Sequence, residues 1–121
     1  MEAIDEGRNS PARAISDGAV QLLRDYTGRG PNKARTVLND DMVTIVLVDT
    51  LTRGERTLLD RGDEERVMAT RREFQRLMRD DLVALVESQV QREVVAFLSA
   101  NHADPDLAVE TFMLAPKAPV A

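Results

Sequence analysis

At 121 residues, with 16 Lys and Arg against 21 Asp and Glu, the chain has the size of one domain and a net charge of −5. That balance argues against nucleic acid as a partner, because phosphate backbones reward positive surfaces. The chain has no cysteine and no tryptophan, which excludes a disulfide framework, a thiolate nucleophile and a Cys-type metal site, and leaves few rings on which bases could stack.

Residues 1–9 are polar, acidic and without periodicity, and are expected to form a disordered lead-in. They lack the charged-then-apolar order of a signal peptide. No apolar run approaches the roughly 20 residues that a membrane span needs. The expectation is a cytoplasmic protein with no direct membrane insertion, resting at most on the inner face of the membrane.

Ser10-Pro11 pairs a good N-cap with the residue best suited to the first helical position. Ala12, Ile15, Ala19, Leu22, Leu23 and Tyr26 then recur at three- and four-residue spacing, which predicts an amphipathic helix. Gly18 inside it costs about 1 kcal/mol against alanine and signals close packing or a bend. The stretch Thr27-Gly28-Arg29-Gly30-Pro31 ends the helix. Ala34–Asn39 is a short strand, Asn39-Asp40-Asp41 a tight turn, and Met42–Asp49 (MVTIVLVD) an apolar, β-branched strand central in its sheet.

Thr52 with Glu55 three residues on makes a capping box, preceded by Leu51 as a hydrophobic staple. This predicts a short helix with Leu58 and Leu59 buried, closed by Arg61-Gly62. A long helix follows over about Asp63–Ser88, with a stripe of Val67, Met68, Phe74, Leu77, Met78, Leu82, Leu85 and Val86, its arginines outside the stripe, and Arg76–Asp80 as an i,i+4 pair. A second hairpin closes the chain, with strands at about Glu93–Ser99 and Leu107–Leu114 around a polar insert.

The domain is therefore expected over residues 10–115, followed by a flexible tail at 116–121. Its order is α-β-β-α-α-β-β: an α+β fold in which two hairpins form a four-stranded antiparallel sheet with three helices on one face. Thr44, Val46, Val48, Val95 and Phe97 are expected on the other face. A second copy is the simplest cover for it, so the chain is expected to be a homodimer.

Two stretches could carry chemistry. His102 is the only histidine, and with Asp104 and Asp106 it could act as a base, a cation ligand or a pH sensor. The competing reading is a loop histidine beside turn residues, since a metal site normally shows more ligands at regular spacing. Gly28, Arg29, Gly30, Lys33 and Arg35 form a basic patch at a glycine-rich loop, a combination that holds anions. The loop follows a helix rather than preceding one, so no helix N-terminus is aimed at it and helix termination explains the glycines as well. Asp80 and Asp81 point about 100° apart on a helix and cannot act on one atom. The arginine-rich long helix has its field largely cancelled by interleaved Glu and Asp. No catalytic, cofactor-binding or metal-binding residue is assigned.

The motifs Tyr26-x-Gly28-Arg29-Gly30-Pro31, Asn39-Asp40-Asp41 with its apolar strand, Leu51-Thr52-x-x-Glu55-x-x-Leu58, and Val95-Ala96-Phe97-Leu98-Ser99 followed by Asp104-Pro105-Asp106 resemble the small bacterial MpsC family over about Pro11–Leu114. One departure is Gln91, where the resemblance implies a glycine. The family label implies a soluble component of a sodium-translocating, membrane-potential-generating system that accompanies membrane subunits. The function expected from this is that of a non-enzymatic accessory or regulatory subunit of a membrane cation-transport or bicarbonate-linked system. The alternative is a small-molecule or anion sensor acting near Gly28–Arg35 or His102. An enzyme using His102 ranks last.

Overall fold

The computed structural model describes residues 10–117, so the expected lead-in at 1–9 and most of the tail, 118–121, lie outside the described residues. The elements are α1 (Pro11–Thr27), β1 (Lys33–Asn39), β2 (Met42–Val48), α2 (Arg53–Asp60), α3 (Glu64–Val90), β3 (Val94–His102) and β4 (Leu107–Leu114). All strand pairs are antiparallel and the sheet order is β1-β2-β4-β3. Each hairpin keeps its own pair, and the hairpins join through β2 and β4.

Local chemistry explains the helix starts. The Ser10 hydroxyl accepts from the Arg13 amide at 3.1 Å, with Pro11 in the first turn. Thr52 and Glu55 form the reciprocal capping box, at 3.1 and 2.8 Å. Gly18 marks the closest approach of α1 to α3: a Cβ there would stand 2.7 Å from a Leu85 methyl. Its cost to helix propensity is thus offset by close packing.

The helices cover one face of the sheet. Ile15, Ala19 and Leu23 of α1, Met78, Leu82 and Val86 of α3, and Val43, Ile45, Leu47, Ala108, Phe112 and Leu114 of the strands form one buried cluster. Three expectations about α3 and α2 need correction. Leu77 is 52% exposed, whereas Arg71 and Gln75 lie in the buried stripe. Arg76 pairs with Glu73 rather than Asp80. In α2 it is Glu55 that is buried, while Leu58 and Leu59 are only half-buried. Arg71, Gln75 and Glu55 each have a specific partner inside, whereas the Arg76–Glu73 pair lies on the exposed surface.

The second hairpin also differs from expectation. β3 runs on to His102, so Ala100–His102 also belong to the strand and the turn shrinks to residues 103–106, with a cis peptide at Asp104-Pro105. A bulge between Val94 and Ala96 makes Val95 an extra residue. One extra residue reverses the faces of those that follow. Phe97 therefore points into the core, its ring 5.1 Å from that of Phe112, instead of outward.

The opposite face carries Thr44, Val46 and Val48 of β2 as expected, together with Met42, Val109, Thr111, Met113 and Leu98. No described helix packs on it.

The departure at Gln91 has a conformational meaning. Gln91 ends α3 with φ 57, in the left-handed region, and its amide donates to the Glu87 carbonyl. Glycine adopts that conformation without steric cost. Gln91→Gly is expected to raise stability by about 0.5 kcal/mol, partly offset by loss of the side-chain bond to the Ser88 carbonyl. A shift of the urea midpoint to lower concentration would show that the cap is not strained.

Candidate functional site

The end of the sheet where β2 leaves and β4 enters gathers Gly28, Arg29 and Asp106 of the candidate residues. Gly28, at φ 84, ends α1 with its amide on the Arg24 carbonyl, 2.8 Å away. A Cβ there would meet nothing within 4 Å, so the need is for backbone conformation and not for space. The turn carries Arg29 across to the end of β2. Its guanidinium donates to the carbonyls of Asp49 and Leu51 and to the Asp49 carboxylate at 2.9 Å. The amides of Gly28 and Arg29 are both engaged within the loop, on the Arg24 carbonyl and the Thr27 hydroxyl. The fork and two of the loop amides that could have held an anion are thus spent on acceptors within the protein.

Asp49 turns the chain with φ 62. Its carboxylate lies between Arg29 and Arg56, and hydrogen bonding to Arg29, reinforced by Arg56, holds it below the usual carboxylate range. Asp106 is the most heavily used acid of the junction. Its side chain is 11% exposed and accepts from the Thr50 hydroxyl, the Leu51 amide and Arg56, at 3.0, 3.0 and 3.1 Å. Its carbonyl accepts from the Asp49 amide. Below it, Arg71 at 5% exposure donates to the Thr50 carbonyl and hydroxyl and to Glu55.

Among the described residues, His102, Lys33 and Arg35 have no hydrogen bond or ion pair with these groups, while Asp104 shares a groove with Asp106 and Arg56. His102 is exposed, and its Nδ1 lies 2.9 Å from the Pro105 carbonyl, closing the β3–β4 turn. Asp104 is exposed on the rim of an open groove of about 500 Å³, lined also by Leu51, Arg56, Asp60 and Glu64. Lys33 and Arg35 are exposed on β1, at the edge of the open sheet face. The structure thus joins Arg29 to Asp106 through Asp49 and Arg56, and leaves Lys33 and Arg35 away from that junction. Among the described residues no group of three or more His, Cys, Asp or Glu side chains could hold a metal ion.

A second polar cluster escaped the sequence reading. Glu110 of β4 is 2% exposed on the inner face. It accepts from the Ser99 hydroxyl and, at 3.4 Å, from the Gln75 amide. Gln75 in turn exchanges hydrogen bonds with Asn101, at 3.0 and 2.9 Å. Burial pushes the Glu110 carboxyl up to about 7, against the opposing pull of Ser99 and Arg71. A cavity of about 20 Å³ beside it, lined by Arg71, Gln75 and Met78 among others, has room for about one water. The signal was present: strict alternation along Leu107–Leu114 puts Glu110 on the same side as Ala108, Phe112 and Leu114.

The family model described as Na+-translocating membrane potential-generating system (MpsC) matches residues 8–116. No curated protein and no solved structure matches the chain. Among the described residues no helix is long and apolar enough to cross a membrane.

Two predictions follow from these clusters. Glu110 has a folded pKa raised from 4.5 to about 7, so the folded state holds a proton that the unfolded state releases between those values. Its contribution is complete below about 4.5 and is lost as pH rises through about 7, a fall on the order of 2–3 kcal/mol. Urea denaturation of wild type at pH 5 and pH 8 should show that fall, and Glu110→Gln should flatten it. Equal pH dependence in both proteins would remove Glu110 as the titrating group. Asp106→Ala leaves the Leu51 amide without its acceptor, removes the Thr50 hydroxyl's acceptor and leaves Arg56 with Asp49 alone, and should cost about 2 kcal/mol, read as a lower urea midpoint with an unchanged slope.

Proposed function

This chain belongs to the MpsC family, and from that premise we propose that it is a non-enzymatic accessory or regulatory subunit of a cation-translocating membrane system, working as a homodimer on the cytoplasmic face. The observation that carries the reading is the family match, which spans residues 8–116 and so covers both hairpins and all three helices. The geometry supports it in two ways. The charged residues that looked most like a site are used to lock the β2–α2 corner to the turns around it, which builds a rigid body rather than a reaction centre. The apolar face of the sheet is suited to protein contact.

The open groove beside Arg56 favours a second reading, in which the chain senses a small molecule. The two differ in what they require. An accessory subunit should co-purify with integral membrane proteins from gently solubilised membranes, and its deletion should lower the sodium-dependent membrane potential. A sensor should show a ligand-dependent rise in Tm, with bicarbonate and inorganic phosphate as first probes, that vanishes in Arg56→Ala, the one cationic residue lining that groove. Recovery of the homodimer alone, with an unchanged membrane potential in the deletion strain, would overturn the accessory reading.

A further inference from the structure

Arg71 stands between two buried carboxylates. Its guanidinium serves the β2–α2 corner, donating to the Thr50 hydroxyl at 2.5 Å and to the Thr50 carbonyl and the Glu55 carboxylate at 3.3 Å each. The last two are long beside the usual charge-assisted bond of about 2.7–2.9 Å, and N–H groups of the fork are left over. The second carboxylate is Glu110, which lines with Arg71 the cavity of about 20 Å³ between α1, α3 and the sheet. The other groups packed around Glu110 are uncharged. β3 supplies the Ser99 hydroxyl, with Asn101 behind Gln75, and α3 supplies the Gln75 amide. α1 brings Ala19, Leu23 and Thr27 to the cavity, and β2 brings Leu47 and, as the register partner, Ile45. Arg71 is the one charge that acts on Glu110 among the described residues.

We propose that Arg71 is the moving part of a proton-controlled switch that couples the inner face of the sheet to the start of α2. With Glu110 neutral, its carboxyl proton is donated to the Ser99 oxygen, and the Arg71 charge is left to Glu55 and Thr50. When Glu110 loses that proton to solvent, the Ser99 hydroxyl turns to donate. The new anion then faces a cavity with room for about one water, too little to solvate it. Arg71 turns toward it across that cavity and loosens its long bonds to Glu55 and the Thr50 carbonyl. Glu55 is a member of the α2 capping box, and the Thr50 hydroxyl donates to Asp106 at 3.0 Å, so the change reaches both contacts that hold the corner. Glu55 gains water as the first turn of α2 opens, which avoids a stranded buried charge. Leu51, Arg56, Leu59 and Asp60 of the same corner line the open groove, whose wall therefore follows the proton. The Glu110 carboxyl, pushed up to about 7 by burial, sets the change near neutral pH, with the corner closed below and loosened above. The switch stands independently of either functional reading above.

Hydrogen–deuterium exchange on the full chain at pH 6 and pH 8, corrected for the intrinsic rate at each pH, separates local from global opening. At pH 8 the α2 amides should lose at least about threefold more protection than those of β2 and β4. Glu110→Gln, which keeps the neutral arrangement at both pH values, should abolish that excess, and His102→Asn should leave it in place. An excess that is absent in the wild type would overturn the switch and leave only a change in global stability. An excess that persists in Glu110→Gln, or disappears in His102→Asn, would overturn the assignment to Glu110. If Glu110→Gln fails to fold, the Nε–H signal of Arg71 in the NMR spectrum of the wild type decides. It should move between pH 6 and pH 8 together with the loss of α2 protection, and a stationary signal would overturn the proposal.

Discussion

The β2–β4 ladder is the contact on which the rest of the molecule depends. It pairs residues 42–48 with 107–113, the two hairpins having no other strand contact. Such a pairing must close a long loop before it yields any hydrogen bonds, so it needs support at both ends. At one end the Asp106 carboxylate and carbonyl receive the Leu51 and Asp49 amides. At the other the Leu114 amide reaches the Asp41 carbonyl at 2.7 Å, and Arg92 bridges the carbonyls of Asp40 and Ala115. α2 and α3 form the crossover between the hairpins, and the capping box and Arg71 fix their start directly over the first of these ends.

A line of buried polar groups runs beneath the helices. Ser16 meets Thr36 at 2.8 Å, Gln75 meets both Asn101 and Glu110, and Arg71 meets Thr50 and Glu55. Burying Arg71 with Glu55 adds little net stability over an apolar pair, but leaving either one alone would cost far more. Arg71 and Gln75 of α3 are held by specific partners on the β2–α2 corner and on β3 and β4, which restricts the register in which α3 can lie on the sheet. Glu110 differs from the rest in having only neutral donors against its carboxylate, with the Arg71 charge acting from farther off. That difference makes it the pH-sensitive member.

The same contrast separates the ends of the sheet from its open face. At the ends, charges are paired with one another and the backbone is held by side chains. On the face the charges are confined to Lys33 and Arg35 of β1, and on β2 and β4 apolar side chains and two threonines lie in register. A subunit of an assembly needs this combination: a body whose shape is fixed internally and a neutral surface free to be covered. The residues with the most conspicuous chemistry in the sequence belong to the first part, and residues with little apparent chemistry belong to the second.

Local and periodic signals determined the element order, the four-stranded antiparallel sheet with helices on one side, the Ser10 and Thr52 caps, the close packing at Gly18 and the outward set on β2. Each of these follows from spacings of two to four residues, or from the conformational range of a single residue. The family resemblance was legible for the same reason, since its motifs are mostly caps and turns. Tertiary structure decided what depends on partners far along the chain. Arg71 reads as a surface arginine until Thr50 and Glu55 lie beside it, Asp106 as a turn residue until the start of α2 is placed against it, and Phe97 as outward-facing until the bulge at Val95 reverses the strand. These deciding neighbours stand 11 to 56 residues away, and no periodicity reaches that far. For that reason the fold was largely readable, while the roles of Arg29, Asp106 and Glu110 were not.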